Sequence, residues 1–290
     1  MKKEAVFRGT ATAIITPFRD DKIDYEAYGA ILENQIACGV DAIVVCGTTG
    51  EAATLDDREH REIVEYTVEK VAHRVPVIAG TGSNDCAYAI ELSRHACAAG
   101  ADALLHVTPY YNKSTPKGLI QHYTKTVDAA GIPAILYNVP SRTGVSMKVS
   151  TYKELSVHPL INGVKEASGD TELVLRTMSA CGDELNIWSG NDSQIVPFMA
   201  MGAQGVISVM ANIAPKQTSS IAHACLAGDY QKAAAMQVQY MELIDALFCE
   251  VNPIPVKTAM NLMGMEVGPL RLPLCAMEQE TLSRLKAALT

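Results

Sequence analysis

Eight short apolar runs punctuate the chain, and between them hydrophobic positions fall into the spacing of amphipathic helices. The runs predict strands at Thr10–Thr16, Ala42–Cys46, Val75–Ala79, Ala103–Val107, Ala134–Asn138, Ile161–Lys165, Leu185–Ser189 and Gly205–Val209. Intervening helices are predicted at Asp57–Ala72, Cys86–Ala99, Lys117–Ala130 and Thr171–Ala180, among others. Ala42-Ile43-Val44-Val45-Cys46 has no polar face, as expected for a parallel strand covered on both sides. Thr54-Leu55-Asp56-Asp57 resembles a helix capping box with Asp at the third position, and Gly100 and Gly131 stand where helices should stop.

Eight strand–helix units predict a closed (β/α)8 TIM barrel, an α/β fold. An open doubly wound sheet is the structural alternative, but no G-x-G-x-x-G follows the first strand. From about Gly228 the pattern becomes purely helical, with Tyr230–Cys249, Ile254–Met263 and Glu278–Ala288. No linker-like segment precedes that tail. The expected organisation is therefore a barrel over 1–227 and a C-terminal helical appendage over 228–290 packed on it. The chain has 290 residues, 48% of them hydrophobic, enough for one large core.

A net charge of −8 and a pI near 5.4 argue against nucleic-acid binding, yet leave room for a local cation serving a small anion. The start, Met1 to Arg8, is interrupted by charge, and no apolar run has the length of a membrane span. A soluble cytoplasmic protein is the expectation. The 8 cysteines form no C-x-x-C pair; Cys38, Cys46, Cys97, Cys225 and Cys249 lie in apolar context and should be buried reduced thiols. The 7 histidines show no H-x-x-x-H or H-x-x-E-H spacing, so no protein metal site is expected.

Lys165 changes the picture. It ends an apolar strand in Ile161-Asn162-Gly163-Val164-Lys165-Glu166, where burial disfavours the ammonium and yields the neutral amine that attacks a ketone. A lone strand-end lysine more often reaches solvent. Here, however, polar clusters recur at the same end of other strands: Gly47-Thr48-Thr49-Gly50-Glu51, Thr108-Pro109-Tyr110-Tyr111-Asn112, Tyr137 to Gly144, Ser189-Gly190-Asn191-Asp192 and Ile207-Ser208. In barrels that end carries the active site. The Gly47–Gly50 turn offers N–H groups and hydroxyls for a small carboxylate, although most such segments are plain turns. Tyr137, on the neighbouring strand, is placed to shuttle protons near Lys165, and Arg142 to grip a carboxylate. The alternatives are a core phenol and a surface ion pair. Glu166 should point away from Lys165 by strand alternation.

With these motifs the sequence resembles the dihydrodipicolinate synthase family, within the class I pyruvate-dependent lyase and aldolase superfamily. The resemblance runs from Gly9-Thr10-Ala11-Thr12-Ala13-Ile14-Ile15-Thr16-Pro17-Phe18 to Asn252-Pro253-Ile254-Pro255-Val256-Lys257 and Leu270-Arg271-Leu272-Pro273-Leu274. It implies that Lys165 forms an imine with pyruvate, with Tyr137 the proton donor and acceptor, relayed through Thr48 to a Tyr111 contributed across a tight dimer interface. Thr49 and the backbone at Ile207 would bind pyruvate, Arg142 the carboxylate of L-aspartate 4-semialdehyde, and Gly190 would line the pocket. The implied reaction gives 4-hydroxy-tetrahydrodipicolinate, the first committed step of diaminopimelate and lysine biosynthesis, with no cofactor beyond the covalent imine. A homotetramer built as a dimer of dimers is also implied.

The rivals are an N-acetylneuraminate lyase or 2-keto-3-deoxy sugar-acid aldolase, which share the lysine and the tyrosine, and a non-catalytic keto-acid sensor. The Thr48-Thr49 pair and Arg142 favour the synthase. Some family members are inhibited by L-lysine at a pocket whose matching positions here are Ala52, Asp57, His60, Asn84, Tyr88 and Tyr110. Sensitive members carry a carboxylate where this chain has Tyr88, which predicts weak or absent lysine feedback.

Overall fold

A computed structural model of the chain describes residues 3–290. Eight parallel strands close into a barrel: β1 (Gly9–Ala13), β2 (Ala42–Val45), β3 (Val77–Gly80), β4 (Ala103–Val107), β5 (Ala134–Asn138), β6 (Ile161–Glu166), β7 (Asn186–Ser189) and β8 (Gly205–Ser208). Each pairs with its sequence neighbours, and β8 returns to β1 through Gly9↔Gly205 and Ala11↔Ile207. Helices cover the outside: α1 (Tyr25–Ala37), α2 (Asp57–Val71), α3 (Cys86–Ala99), α4 (Pro116–Ala130), α5 (Val149–Ser156), α6 (Thr171–Cys181), α7 (Ile195–Met201) and α8 (Pro215–Leu226). Four more follow: α9 (Tyr230–Gln239), α10 (Met241–Leu247), α11 (Ile254–Leu262) and α12 (Gln279–Ala288). The fold is a (β/α)8 TIM barrel carrying C-terminal helices. No helix among the described residues is long and apolar enough to cross a membrane.

Strand alternation divides the core in two. One cluster combines the small Ala11, Ala13, Ala42 and Ala103 with Val44, Ile78, Leu105, Ile135, Trp188 and Ile207. A second cluster, including Ile43, Val45, Leu104, Leu136, Val164 and Ile187, lies between strands and helices and extends to Ile244, Val256, Met260 and Leu285 of the C-terminal helices. Trp188 is fully buried and its ring lies against Gly163. A Cβ on Gly163 would stand 2.6 Å from its ring, so only glycine leaves that space. Phe7 stacks on the indole at 5.1 Å and plugs the barrel just upstream of β1.

Four expectations need correction. The capping box of α2 uses Asp56 as N-cap with Glu59 three residues on, not the Thr54–Asp57 span. The first strand ends at Ala13 rather than Thr16: the Ile15 N–H donates to Asn212 Oδ1 at 3.1 Å, and a hairpin of Phe18–Arg19 with Lys22–Ile23 follows. Tyr230–Cys249 is two helices, broken where Tyr240 departs from helical angles; the hydrophobic spacing continues across the break and conceals it. All eight cysteines are free, but only Cys46 and Cys225 of the five singled out are buried; Cys38 caps the end of α1, Cys97 lies in the last turn of α3 and Cys249 follows α10, and all three are half-exposed.

Candidate active site

Lys165 lies in β6 between Tyr137 of β5 and Trp188 of β7, its register partners. It is 6% exposed. Its Nζ stands 4.3 Å from the centre of the Tyr137 ring and takes no hydrogen bond or ion pair among the described residues. Burial, with Arg142 nearby, lowers its pKa to about 8, while the Asp192 carboxylate works in the other direction. About a tenth of the amine is then neutral at pH 7. Gly190 makes room for it: a Cβ there would meet Ala167 Cβ at 2.7 Å and Lys165 Cε at 3.1 Å. Glu166 does point the other way, accepting from Asn138 Nδ2 at 2.9 Å and from the Tyr152 hydroxyl at 2.7 Å.

The Tyr137 phenol is buried, with the Thr48 hydroxyl near enough to act on it. Desolvation raises its pKa, so it stays protonated, while Arg142 and Thr48 moderate that rise. Thr48 sits on a turn whose two flanks, Cys46 and Glu51, both have φ of 54°, a left-handed conformation that costs about 1–2 kcal/mol for a non-glycine residue. Gly80 accommodates the first kink, since a Cβ there would lie 2.1 Å from the Cys46 carbonyl oxygen. The N–H groups of Gly50 and Glu51 bond back to Gly47 O and Thr48 O, both at 3.1 Å. Among the described residues those of Thr48 and Thr49 have no protein acceptor, so the anion cradle is narrower than the whole Gly47–Gly50 segment suggests.

Arg142 is on a single helical turn after β5 (Pro140–Thr143) and donates through Nη2 to the Asn252 carbonyl at 3.0 Å. Ile207 is fully buried on β8. The Thr49 hydroxyl is bonded to Asn252 Nδ2 at 3.0 Å. Thus the fold brings together Lys165, Tyr137, Thr48, Thr49, Arg142, Gly190 and Ile207. It does not bring in Tyr111, which is 91% exposed at a loop tip with φ of 65°. Two residues escape sequence reasoning. Asn252 touches both Thr49 and Arg142, and Asp192 is a buried carboxylate whose Oδ2 accepts from Val209 N at 3.1 Å and Met210 N at 2.9 Å. In sequence each looks like an ordinary turn residue.

A cavity of about 480 Å³ opens at this end of the barrel. One side is lined by Thr48, Tyr137 and Arg142, the other by Ala52, His60, Tyr88 and Tyr110. Lys165 is outside that lining, with its Nζ against the ring of Tyr137, which is part of it. His60 is buried with Nε2 2.9 Å from Gly80 O, and burial lowers its pKa. Burial, and after it the nearby Asp57, raises the Tyr88 pKa, and Asn84 Nδ2 donates to Tyr110 O at 3.2 Å. No group of three or more His, Cys, Asp or Glu among the described residues could hold a metal ion.

A buried amine beneath a phenol, with a guanidinium at the mouth of a (β/α)8 barrel, fits the imine-forming lyases of that fold. The model of the dihydrodipicolinate synthetase family matches residues 6–290, and the chain belongs to this family. It is 52% identical to 4-hydroxy-tetrahydrodipicolinate synthase of Thermoanaerobacter sp. (strain X514), over 98% of this chain and 96% of that one. The solved dihydrodipicolinate synthase from Aquifex aeolicus superposes with TM-score 0.96 at 41% identity, covering 98% of this chain and 97% of the other. A synthase from Cyanidioschyzon merolae, solved with lysine bound, gives TM-score 0.95 at 35% identity, covering 99% and 98%.

Proposed function

We propose that this chain is a lyase that condenses pyruvate with L-aspartate 4-semialdehyde to 4-hydroxy-tetrahydrodipicolinate, the reaction for which its relatives are named. The observation that carries this reading is the Lys165 amine, buried without a partner 4.3 Å from the Tyr137 ring. Neutral Lys165 adds to the pyruvate ketone, and loss of water gives an iminium. The iminium withdraws electrons, a methyl proton leaves, and the resulting enamine carbon bonds to the aldehyde carbon, whose oxygen takes a proton. The substrate's own amine then attacks the former ketone carbon, closes the ring and expels Lys165. Tyr137, kept protonated by burial and close to Thr48, gives and receives the protons. Because the iminium is the electron sink, the chemistry requires no metal or dissociable cofactor.

The Thr48 and Thr49 N–H groups serve the pyruvate carboxylate together with the Ile207 backbone, Gly190 lines the pocket, and Arg142 serves the aldehyde's carboxylate. Tyr111, isolated in one chain, completes the relay of a second copy, in a cytoplasmic homotetramer of two tight dimers. Residues 1–227 are then the catalytic barrel and 228–290 the extension. At the far side of the cavity Tyr88 is a phenol and the nearby Asp57 carboxylate is engaged by Arg61, which supports weak or absent inhibition by L-lysine. The deciding assay compares kcat/KM for pyruvate plus L-aspartate 4-semialdehyde with that for N-acetylneuraminate and 2-keto-3-deoxy sugar acids. The semialdehyde should win by orders of magnitude; preference for a sugar acid overturns the assignment.

A further inference from the structure

Lys257, on α11, is a second deeply buried lysine that the proposed chemistry does not use. Its ammonium donates to Thr16 O at 2.9 Å, to Glu51 Oε1 at 2.7 Å and to Pro269 O at 2.7 Å. The other Glu51 oxygen accepts the Arg271 N–H at 3.0 Å. Glu51 closes the turn that bears Thr48 and Thr49, and its own N–H donates to Thr48 O at 3.1 Å. On the other side of Lys257, Thr16 is also tied to that turn: its hydroxyl donates to Gly50 O at 2.7 Å. A second strut starts a few residues earlier in the same C-terminal segment. The Asn252 side chain holds the Thr49 hydroxyl, and its carbonyl holds Arg142, each at 3.0 Å.

We propose that Lys257 and Asn252 are positioning residues, through which the C-terminal extension sets the Thr48–Thr49 turn and Arg142 around the pyruvate site. Two physical points carry this beyond simple packing. A non-glycine residue in the left-handed region persists only where its surroundings over-determine it, and Glu51 is held by both carboxylate oxygens. A buried ion pair is also weak evidence for stability, because apolar residues of similar volume serve as well or better, whereas the pair fixes one geometry. The Lys257 ammonium further faces the Phe18 ring at 4.3 Å, and Arg271 faces the same ring at 4.2 Å, which adds attraction to the anchor.

The inference rests on pyruvate binding as read above, so its test uses pyruvate alone. The full-length paired variant Glu51→Gln/Lys257→Met, which removes both charges together, and the single variant Asn252→Ala are compared with wild type. Pyruvate is titrated under borohydride, the Lys165 adduct is followed by mass spectrometry, and melting is recorded in parallel. Positioning predicts that half-saturation by pyruvate rises about tenfold in the paired variant and several-fold in Asn252→Ala at temperatures where both are folded. Lower melting temperatures with half-saturation within about twofold of wild type in both variants overturn the proposal. If the paired variant does not fold, Asn252→Ala decides by the same criterion. A wild type that forms no adduct defeats the functional reading itself, an outcome distinct from unchanged half-saturation in variants of a trapping enzyme.

Discussion

Two buried lysines invite comparison: the one proposed as the nucleophile and the one proposed as an anchor. Lys165 at the barrel mouth and Lys257 in the C-terminal helices are 6% and 1% exposed, and each has its Nζ 4.3 Å from an aromatic ring. Burial pushes both pKa values down. They differ in company. Lys257 has a carboxylate and two carbonyls for its three protons, so its charge is compensated and its amine occupied. Lys165 has none, and its pKa of about 8 leaves a usable fraction of free amine. Depth alone therefore does not make a nucleophile. A buried amine becomes reactive where the fold withholds the partners that would keep it protonated.

The sharpest way to break that contrast is to replace each lysine by methionine. Lys165→Met should reduce kcat/KM by about 10⁴-fold or more, with a melting temperature equal to or above wild type, since a buried amine that makes no hydrogen bond is removed. Lys257→Met should act first on stability, with pyruvate binding weakened rather than abolished. It strands Glu51 as a buried charge at a cost of about 3–5 kcal/mol, read as a melting temperature lower by about 10 °C, and the borohydride adduct should still map to Lys165. If both variants melt alike, the contrast fails. Tyr137→Phe keeps the ring over the amine and deletes the proton carrier, so turnover should fall about 10²- to 10³-fold while the trapped adduct still forms. Gly190→Ala crowds Lys165 Cε and Ala167 Cβ and should destabilise by about 1–3 kcal/mol and raise the pyruvate KM. The gentlest probe is pH. Because the folded pKa lies near 8, the trapping rate at low pyruvate should climb about tenfold per unit below pH 8 and level off above it.

Much of the barrel was legible because its strands are apolar on both faces and its helices are not, and β4, β5 and α3 match their predicted limits. The end of the first strand failed because a long-range contact sets it. Asn212, 197 residues from Ile15, takes the N–H that would have continued the first strand. Lys165, Tyr137, Thr48 and Arg142 were visible as polar residues at one end of a hydrophobic frame. Asn252 and Lys257 were not, although both stand in the Asn252-Pro253-Ile254-Pro255-Val256-Lys257 segment that marks the resemblance. A helical lysine usually reads as solvated, and its partner Glu51 is 206 residues away. Local patterning carries no information about such a pair. Nor does it show that the Thr49 hydroxyl is held by Asn252, or that Asp192 is buried beneath the Val209 and Met210 N–H groups.

The claim that an uncharged, unpartnered amine captures the keto acid is tested most directly by trapping with pyruvate and borohydride followed by peptide mapping. Covalent pyruvate should appear on the peptide containing Lys165 and not on the one containing Lys257, with no adduct in Lys165→Met. Absence of an adduct in the wild type, or an adduct at any other lysine, would contradict it.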